Sequence, residues 1–194
     1  MSVPPAPPLL LASRSPQRRA ILEQLGIPFE VVVPEWDELR EGDPLETVRE
    51  NARGKARSAA APEERPVLGV DTEVVLDGRV FGKPETSTEA EAMLEALAGR
   101  THEVVSGLCL VTPGWEVVEH DVTRVSFRPL DARDLAAYVG LGEWQGRAGA
   151  YAVQGRGAAL VERIEGDYLN VVGLPAALLV RLLAERFSGV YGFG

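Results

Sequence analysis

Four apolar residues in a row, LLLA at Leu9–Ala12, open the patterned part of the chain. Such a run predicts a short buried strand. After it, Ser15-Pro16 reads as a helix start, with Ser15 as cap and Pro16 at the first helical position, where the missing N–H costs nothing. The helix is expected over 15–25, closed by Gly26. A second strand follows over 29–33. Asp43-Pro44-Leu45-Glu46 has the form of a capping box, opening a helix to about residue 60 with Leu45, Val48, Ala52 and Ala56 on one face. Val67–Leu76 is an apolar strand, and Asp77-Gly78 predicts a type I′ turn into Arg79–Phe81. Thr88-Glu89-Ala90-Glu91 reads as the start of a helix to Leu97, stopped by Gly99.

Beyond that point the period changes to that of strands. Two long β-rich segments, 102–112 and 117–127, are joined at Pro113-Gly114. A helix over 131–139, strands over 151–154 and 160–164, and a last helix over 175–187 complete the pattern. Early alternation of strands and helices with a β-rich middle predicts an α/β fold, a mixed sheet with flanking helices. No internal repeat or long linker divides the chain. Residues 1–8, MSVPPAPP, read as a loose tail without the charged-then-apolar pattern of a signal peptide, and 9–194 as a single domain.

Composition narrows the function. Of 194 residues, 45% are hydrophobic and 25% charged, as in ordinary globular chains. No apolar run approaches the roughly 20 residues that span a bilayer, so no membrane partner is expected. The net charge of −9 speaks against nucleic-acid binding, which needs basic surface. One cysteine, Cys109 in GLCLV, excludes an internal disulfide and fits a reducing, cytoplasmic setting. His102 and His120 do not form a metal pair, and Cys109 reads as core.

Charge placement within the first helix then becomes informative. Its first turn should favour acids, because the helix dipole is positive there. Instead it carries Arg18 and Arg19, with Arg14 just before the cap. Three cations beside free backbone N–H groups call for an anion among them. Asp71 interrupts the apolar run VLGVDTEVVL, where a carboxylate is costly unless paired, metal-bound or opening on a cleft. Lys55 lies midway along the second helix in NARGKARSAA. Gly82-Lys83-Pro84 is too short for a phosphate loop and has Pro in place of the hydroxyl, so alone it is a turn. Gly155-Arg156-Gly157 lacks the third glycine of a dinucleotide fingerprint.

Taken together, LASRSPQRR, Glu38 after the second strand, GVDT, GKP, THEVVSG, RAGAYAVQGRG and IEGDYLNVVGLP resemble, in order and spacing, the Maf family of nucleoside triphosphate pyrophosphatases. The resemblance spans residue 10 to about 187. It implies a two-lobed α/β fold similar to that of inosine triphosphate pyrophosphatases, a nucleotide in the cleft between the lobes, a homodimer and a divalent cation, Mg²⁺ or Mn²⁺. On this resemblance Ser13, Arg18, Lys55 and Lys83 hold the triphosphate. Glu38 and Asp71 hold the metal, and Asp71 accepts the proton of the water that attacks the α-phosphorus.

Three positions choose the base in this family: here Gln17, Thr72 and Gln154. Thr72 and Gln154 resemble the branch hydrolysing dTTP and UTP, and modified pyrimidine nucleotides with them. A Gln can pair with the O4/N3–H edge common to uracil and thymine. Gln17 departs from that branch, which carries Arg there, and Gly146-Arg147 stands where many members have Asp-Lys. The alternatives are a 7-methyl-GTP pyrophosphatase and a nucleotide-binding regulator of cell division.

Overall fold

Residues 6–59 and 65–193 are described by the structure, a computed structural model. Strand β1 (Leu9–Ala12) pairs in parallel with β2 (Phe29–Val32), Leu9 opposite Phe29, and on its other edge with β3 (Val67–Leu76), Leu10 opposite Val67. Strand β4 (Arg79–Phe81) folds back antiparallel on β3, Val74 opposite Phe81. With β5 (Thr101–Thr112), β6 (Trp115–Phe127) and β7 (Val161–Glu165) they form one seven-stranded mixed sheet, ordered β2-β1-β3-β5-β6-β7 with β4 attached to β3. The helices are α1 (Pro16–Gln24), α2 (Pro44–Ser58), α3 (Ser87–Leu97), α4 (Ala132–Val139), α5 (Tyr168–Val172) and α6 (Ala176–Phe187). The expected α/β class with a mixed sheet is the one observed.

The chain divides into two compact units; three of the four divisions fall inside β3, β5 and β6, and the fourth follows α5. The first comprises residues 1–71, 106–121 and 173–194. Part of its core is Leu10, Ala12, Ala52, Ala56, Ala59, Val67 and Cys109. Here two glycines set the distance between α2 and the strands. A Cβ at Gly69 would lie 2.1 Å from the carbonyl oxygen of Ala52, and one at Gly107 2.1 Å from that of Val48. Only glycine permits backbone this close to backbone. At the chain's start, the carbonyls of Pro7 and Pro8 accept hydrogen bonds from the Tyr191 hydroxyl and the Arg65 guanidinium.

The second unit comprises residues 72–105 and 122–172. Its core joins Val74, Leu76 and Phe81 to Leu94 and Leu97 of α3, Leu135 and Tyr138 of α4, and Phe127, Tyr151 and Leu160. His102 is buried within this unit, its Nε2 2.9 Å from the Tyr151 hydroxyl and its ring edge-to-face with Phe127 and Tyr151.

Most expected elements are found within a residue or two. Asp77 and Gly78 both have positive φ, 52° and 75°, as a type I′ turn requires. Asp43 caps α2 through the N–H groups of Leu45 and Glu46, while Glu46 turns to Arg49 at 2.7 Å. Residue 60, the expected end of that helix, lies outside the described residues.

Three expectations are corrected. The cap of α3 is Thr86, two residues before Thr88: its hydroxyl accepts from the Glu89 N–H, and Glu89 accepts from the Glu85 N–H. Residues 151–154 are not a strand. Tyr151 and Val153 are buried and Gln154 is exposed, which imitates a strand's alternation. The backbone there bonds to a side chain instead, the Ala152 N–H donating to the Tyr138 hydroxyl at 2.9 Å, after left-handed Gly149 and Ala150. The short helix α5 was not expected at all; an Asp167 carboxylate accepting from the Leu169 N–H starts it.

Candidate active site

The start of α1 answers the puzzle of its cations. The Ser15 hydroxyl caps the helix by accepting the Arg18 N–H and donates to Gln17 Oε1 at 3.1 Å. The Ser13 hydroxyl, buried after β1, accepts from the Ser15 N–H and from Arg18 Nη1, each at 3.1 Å. Arg18 Nε donates to the carbonyl of Gly173 at 2.9 Å. Thus Arg18 folds back across the helix start, whereas Arg14 and Arg19 are exposed. Burial lowers the Arg18 pKa, and the nearby carboxylates of Asp71 and Glu38 work against that shift.

Those carboxylates meet on α2. Along this helix Thr47, Asn51 and Lys55 recur every four residues and so share one face. All three are buried, Lys55 to 6% exposure. The Lys55 ammonium lies 2.6 Å from Asp71 Oδ1 and 2.5 Å from Glu38 Oε1. Asp71 is only 8% exposed, and its second oxygen accepts from Asn51 Nδ2 at 2.9 Å. Because α2 sits directly over Gly69, side chains from this helix reach a residue two positions further along β3. A buried lysine and aspartate satisfy each other's charge in a setting where either alone would be expensive.

Two carboxylates, from the β2–α2 loop and from β3, therefore converge on one cationic atom. Hard oxygen donors are the ligands that Mg²⁺ and Mn²⁺ take, and one or two carboxylates plus substrate phosphates are a usual set for Mg²⁺. Glu38 and Asp71 fit such an ion. Among the described residues no group of three or more His, Cys, Asp or Glu is placed to hold a metal, so protein ligands alone would leave the shell incomplete.

The structure thus joins Ser13, Arg18, Glu38, Lys55 and Asp71 in the first unit, with Gln17 tied to the cap beside them. Thr72, Lys83 and Gln154 belong to the second unit. Thr72 is half-buried directly after Asp71; Lys83, beyond β4, and Gln154, in a turn, are exposed. The turn after Gln154 is fastened by Glu143, which accepts from the Gly157 N–H at 3.3 Å. Gly146 has a φ of 69°, so a glycine suits that backbone whatever residue relatives carry there.

Sequence reasoning missed Asn51 and the indole of Trp36, which donates to it at 3.1 Å. The signal was available in the four-residue spacing of Thr47, Asn51 and Lys55, a polar stripe where a solvated helix face would have been read. Cys109 is core as expected: burial pushes its thiol up to about 12, with Glu116 adding to the effect.

Comparison with known proteins gives a consistent picture. The profile of the family described as Maf-like protein matches residues 8–186. A dTTP/UTP pyrophosphatase of Nitratidesulfovibrio vulgaris is 48% identical over 186 residues, covering 93% of this chain and 89% of that protein. A nucleoside triphosphate pyrophosphatase of Xylella fastidiosa is 49% identical over 185 residues, covering 90% and 96%. Among solved structures, a HAM1 protein from Coxiella burnetii matches 91% of this chain and 98% of its own with a TM-score of 0.51 at 20% identity, a likeness of fold. The chain belongs to the Maf family.

Proposed function

We propose, with membership of the Maf family as premise, that the chain hydrolyses dTTP and UTP to the monophosphate and pyrophosphate. The observation that carries this reading is the meeting of Glu38, Lys55 and Asp71 beside Arg18 and Ser13. A half-buried arginine at a helix start, with carboxylates and a buried lysine close by, suits a polyphosphate. A buried carboxylate beside them suits a group that takes a proton from water.

In this reading Arg18 and Lys55 neutralise phosphate oxygens. Ser13 keeps Arg18 in place. Asp71, held at both oxygens, orients the attacking water and accepts its proton. A divalent cation held by Glu38 and Asp71 would supply charge neutralisation along the triphosphate. Lys83, Gln17, Thr72 and Gln154 take their roles, triphosphate binding for the lysine and base choice for the others, from the family resemblance. The same resemblance supports a homodimer, which size-exclusion chromatography tests, and the single buried cysteine agrees with a cytoplasmic setting.

The experiment is a panel of nucleoside triphosphates with Mg²⁺ or Mn²⁺, scored for pyrophosphate and orthophosphate. Equal yields of pyrophosphate and monophosphate from dTTP and UTP support the reading. Preference for 7-methyl-GTP would transfer the assignment to that branch, and binding without turnover would make the protein a nucleotide-binding regulator.

A further inference from the structure

Asn51 is buried to 1% exposure and uses every hydrogen-bonding position of its amide. Its Oδ1 accepts from Trp36 Nε1 at 3.1 Å and from the Leu39 N–H at 2.8 Å. Its Nδ2 donates to the Leu39 carbonyl at 3.0 Å and to Asp71 Oδ2 at 2.9 Å. The orientation of the amide is not arbitrary. An indole N–H and a backbone N–H can only donate, so the oxygen must face Trp36 and the Leu39 N–H. The NH₂ group is then left for Leu39 O and the carboxylate.

By bonding both the N–H and the C=O of Leu39, the side chain takes the place of a neighbouring strand for the segment that carries Glu38. That segment is otherwise exposed: Trp36 is 40% and Leu39 45% accessible. Trp36 lies flat over α2 at Gly54, where a Cβ would stand 2.2 Å from the indole ring. A side chain there would push the indole, and its hydrogen bond, off the helix. Gly54 therefore admits the ring, the ring reaches Asn51, and Asn51 reaches both Leu39 and Asp71.

We propose that Asn51 is a positioning residue that fixes the Asp71 carboxylate and the Glu38 loop relative to each other, so that both carboxylates meet one cation. A neutral amide suits the task. A carboxylate in its place would add a third negative charge, and a lysine or arginine would compete with Lys55 for Asp71. This inference rests on the functional reading above, because it gives Asp71 and Glu38 their purpose.

The test compares wild type, Asn51→Ala and Asn51→Asp for kcat and KM with dTTP, and compares wild type with Asn51→Ala for Mn²⁺ binding by calorimetry. Removing a partner that orients a metal-binding group typically costs about 10–100-fold in affinity or activity. Asn51→Ala should lower kcat by about that factor and weaken Mn²⁺ binding about tenfold. KM should change less than about threefold, because Arg18 is held by the Ser13 hydroxyl and the Gly173 carbonyl. A purely structural role would lower thermal stability alone. Folded Asn51→Ala protein with kcat and Mn²⁺ affinity within twofold of wild type would overturn the proposal. If Asn51→Ala does not fold, the near-isosteric Asn51→Asp decides: it keeps the acceptor for Trp36 but sets a carboxylate against Asp71, so kcat should fall at least tenfold, and a kcat within twofold of wild type would overturn the proposal. A wild type inert towards dTTP would refute the functional reading instead, and the Mn²⁺ comparison would still judge Asn51. A wild type that hydrolyses dTTP without binding Mn²⁺ would leave the kcat-against-KM split to decide.

Discussion

The Lys55 ammonium lies 2.6 Å from Asp71 Oδ1, and the two side chains come from elements held at backbone contact by a glycine, Gly69. Helix packing and site chemistry are therefore one problem in this protein. The ion pair is buried and is completed by Glu38 and Asn51, so removing one member leaves an unpaired charge or donor. That arrangement makes the following outcomes specific.

Asp71→Asn preserves shape while removing the proton acceptor and one negative charge beside Lys55. A general base contributes about 10²–10⁴-fold in rate, and kcat on dTTP should fall within that range. Steady-state kinetics on folded protein check this. Turnover near that of the wild type would show that Asp71 is not the base.

Gly69→Ala sets a methyl group against the Ala52 carbonyl at 2.1 Å, where backbone must move. Overpacking of this kind costs about 1–3 kcal/mol or more. In a chain of this size each kcal/mol lowers Tm by about 2–4 °C. Scanning calorimetry should therefore show a loss of several degrees, together with reduced activity because α2 carries Lys55. Gly82→Ala, with open space around its Cβ position, should leave Tm within about a degree or two, as surface substitutions do.

The strands and caps were legible in the sequence because their signals are local: LLLA, Ser15-Pro16 and Asp77-Gly78 each decide their own conformation. The start of α3 was misplaced because Thr86 and Thr88 each offer a capping hydroxyl with a Glu three residues on, Glu89 and Glu91, and the helix uses the first pair. Residues 151–154 deceived for a different reason. Alternating burial is necessary for a strand but not sufficient, and here the backbone partner is a tyrosine hydroxyl from α4. Among the site residues, Asp71 was visible as a charge in an apolar strand, and Arg18 as a cation at the wrong end of a helix. Lys55, midway along a helix, carried no such local signal. Its burial depends on Gly69 and Gly107, glycines whose role appears only when α2 lies against them. Asn51 showed only as one member of the polar stripe with Thr47 and Lys55, because its partners, Leu39 and Asp71, are 12 and 20 residues away.

His102 makes stability depend on pH. Burial holds its pKa down at about 4, against 6.5 for the ordinary side chain. Between these values the unfolded chain binds the extra proton, so stability rises with pH through this window and falls on acidification from 6.5 towards 4. The full effect corresponds to about 3 kcal/mol. Tm measured from pH 7 to pH 4 should decline, and His102→Gln should flatten that part of the curve. An equal decline in both proteins would assign the acid sensitivity to other groups.

Base choice is tested at Gln154 and Gln17. Gln154→Glu replaces a donor by an acceptor and should cost about 1–3 kcal/mol, about ten- to a hundred-fold in kcat/KM, on dTTP and UTP. Hydrolysis of 7-methyl-GTP, whose ring is cationic, should be spared or raised. Unchanged ratios among the three nucleotides would show that Gln154 does not read the base. Gln17→Arg should sharpen the pyrimidine preference, and a fall in dTTP hydrolysis would place Gln17 in another specificity.

The central claim is that water attacks the α-phosphorus of a pyrimidine nucleoside triphosphate. Hydrolysis of dTTP in ¹⁸O-labelled water with Mn²⁺, followed by mass spectrometry of the products, tests it directly. One ¹⁸O atom in dTMP and none in pyrophosphate is the result predicted, with turnover abolished by EDTA and restored by added Mn²⁺. Label in pyrophosphate, or labelled orthophosphate released with dTDP, would contradict the account.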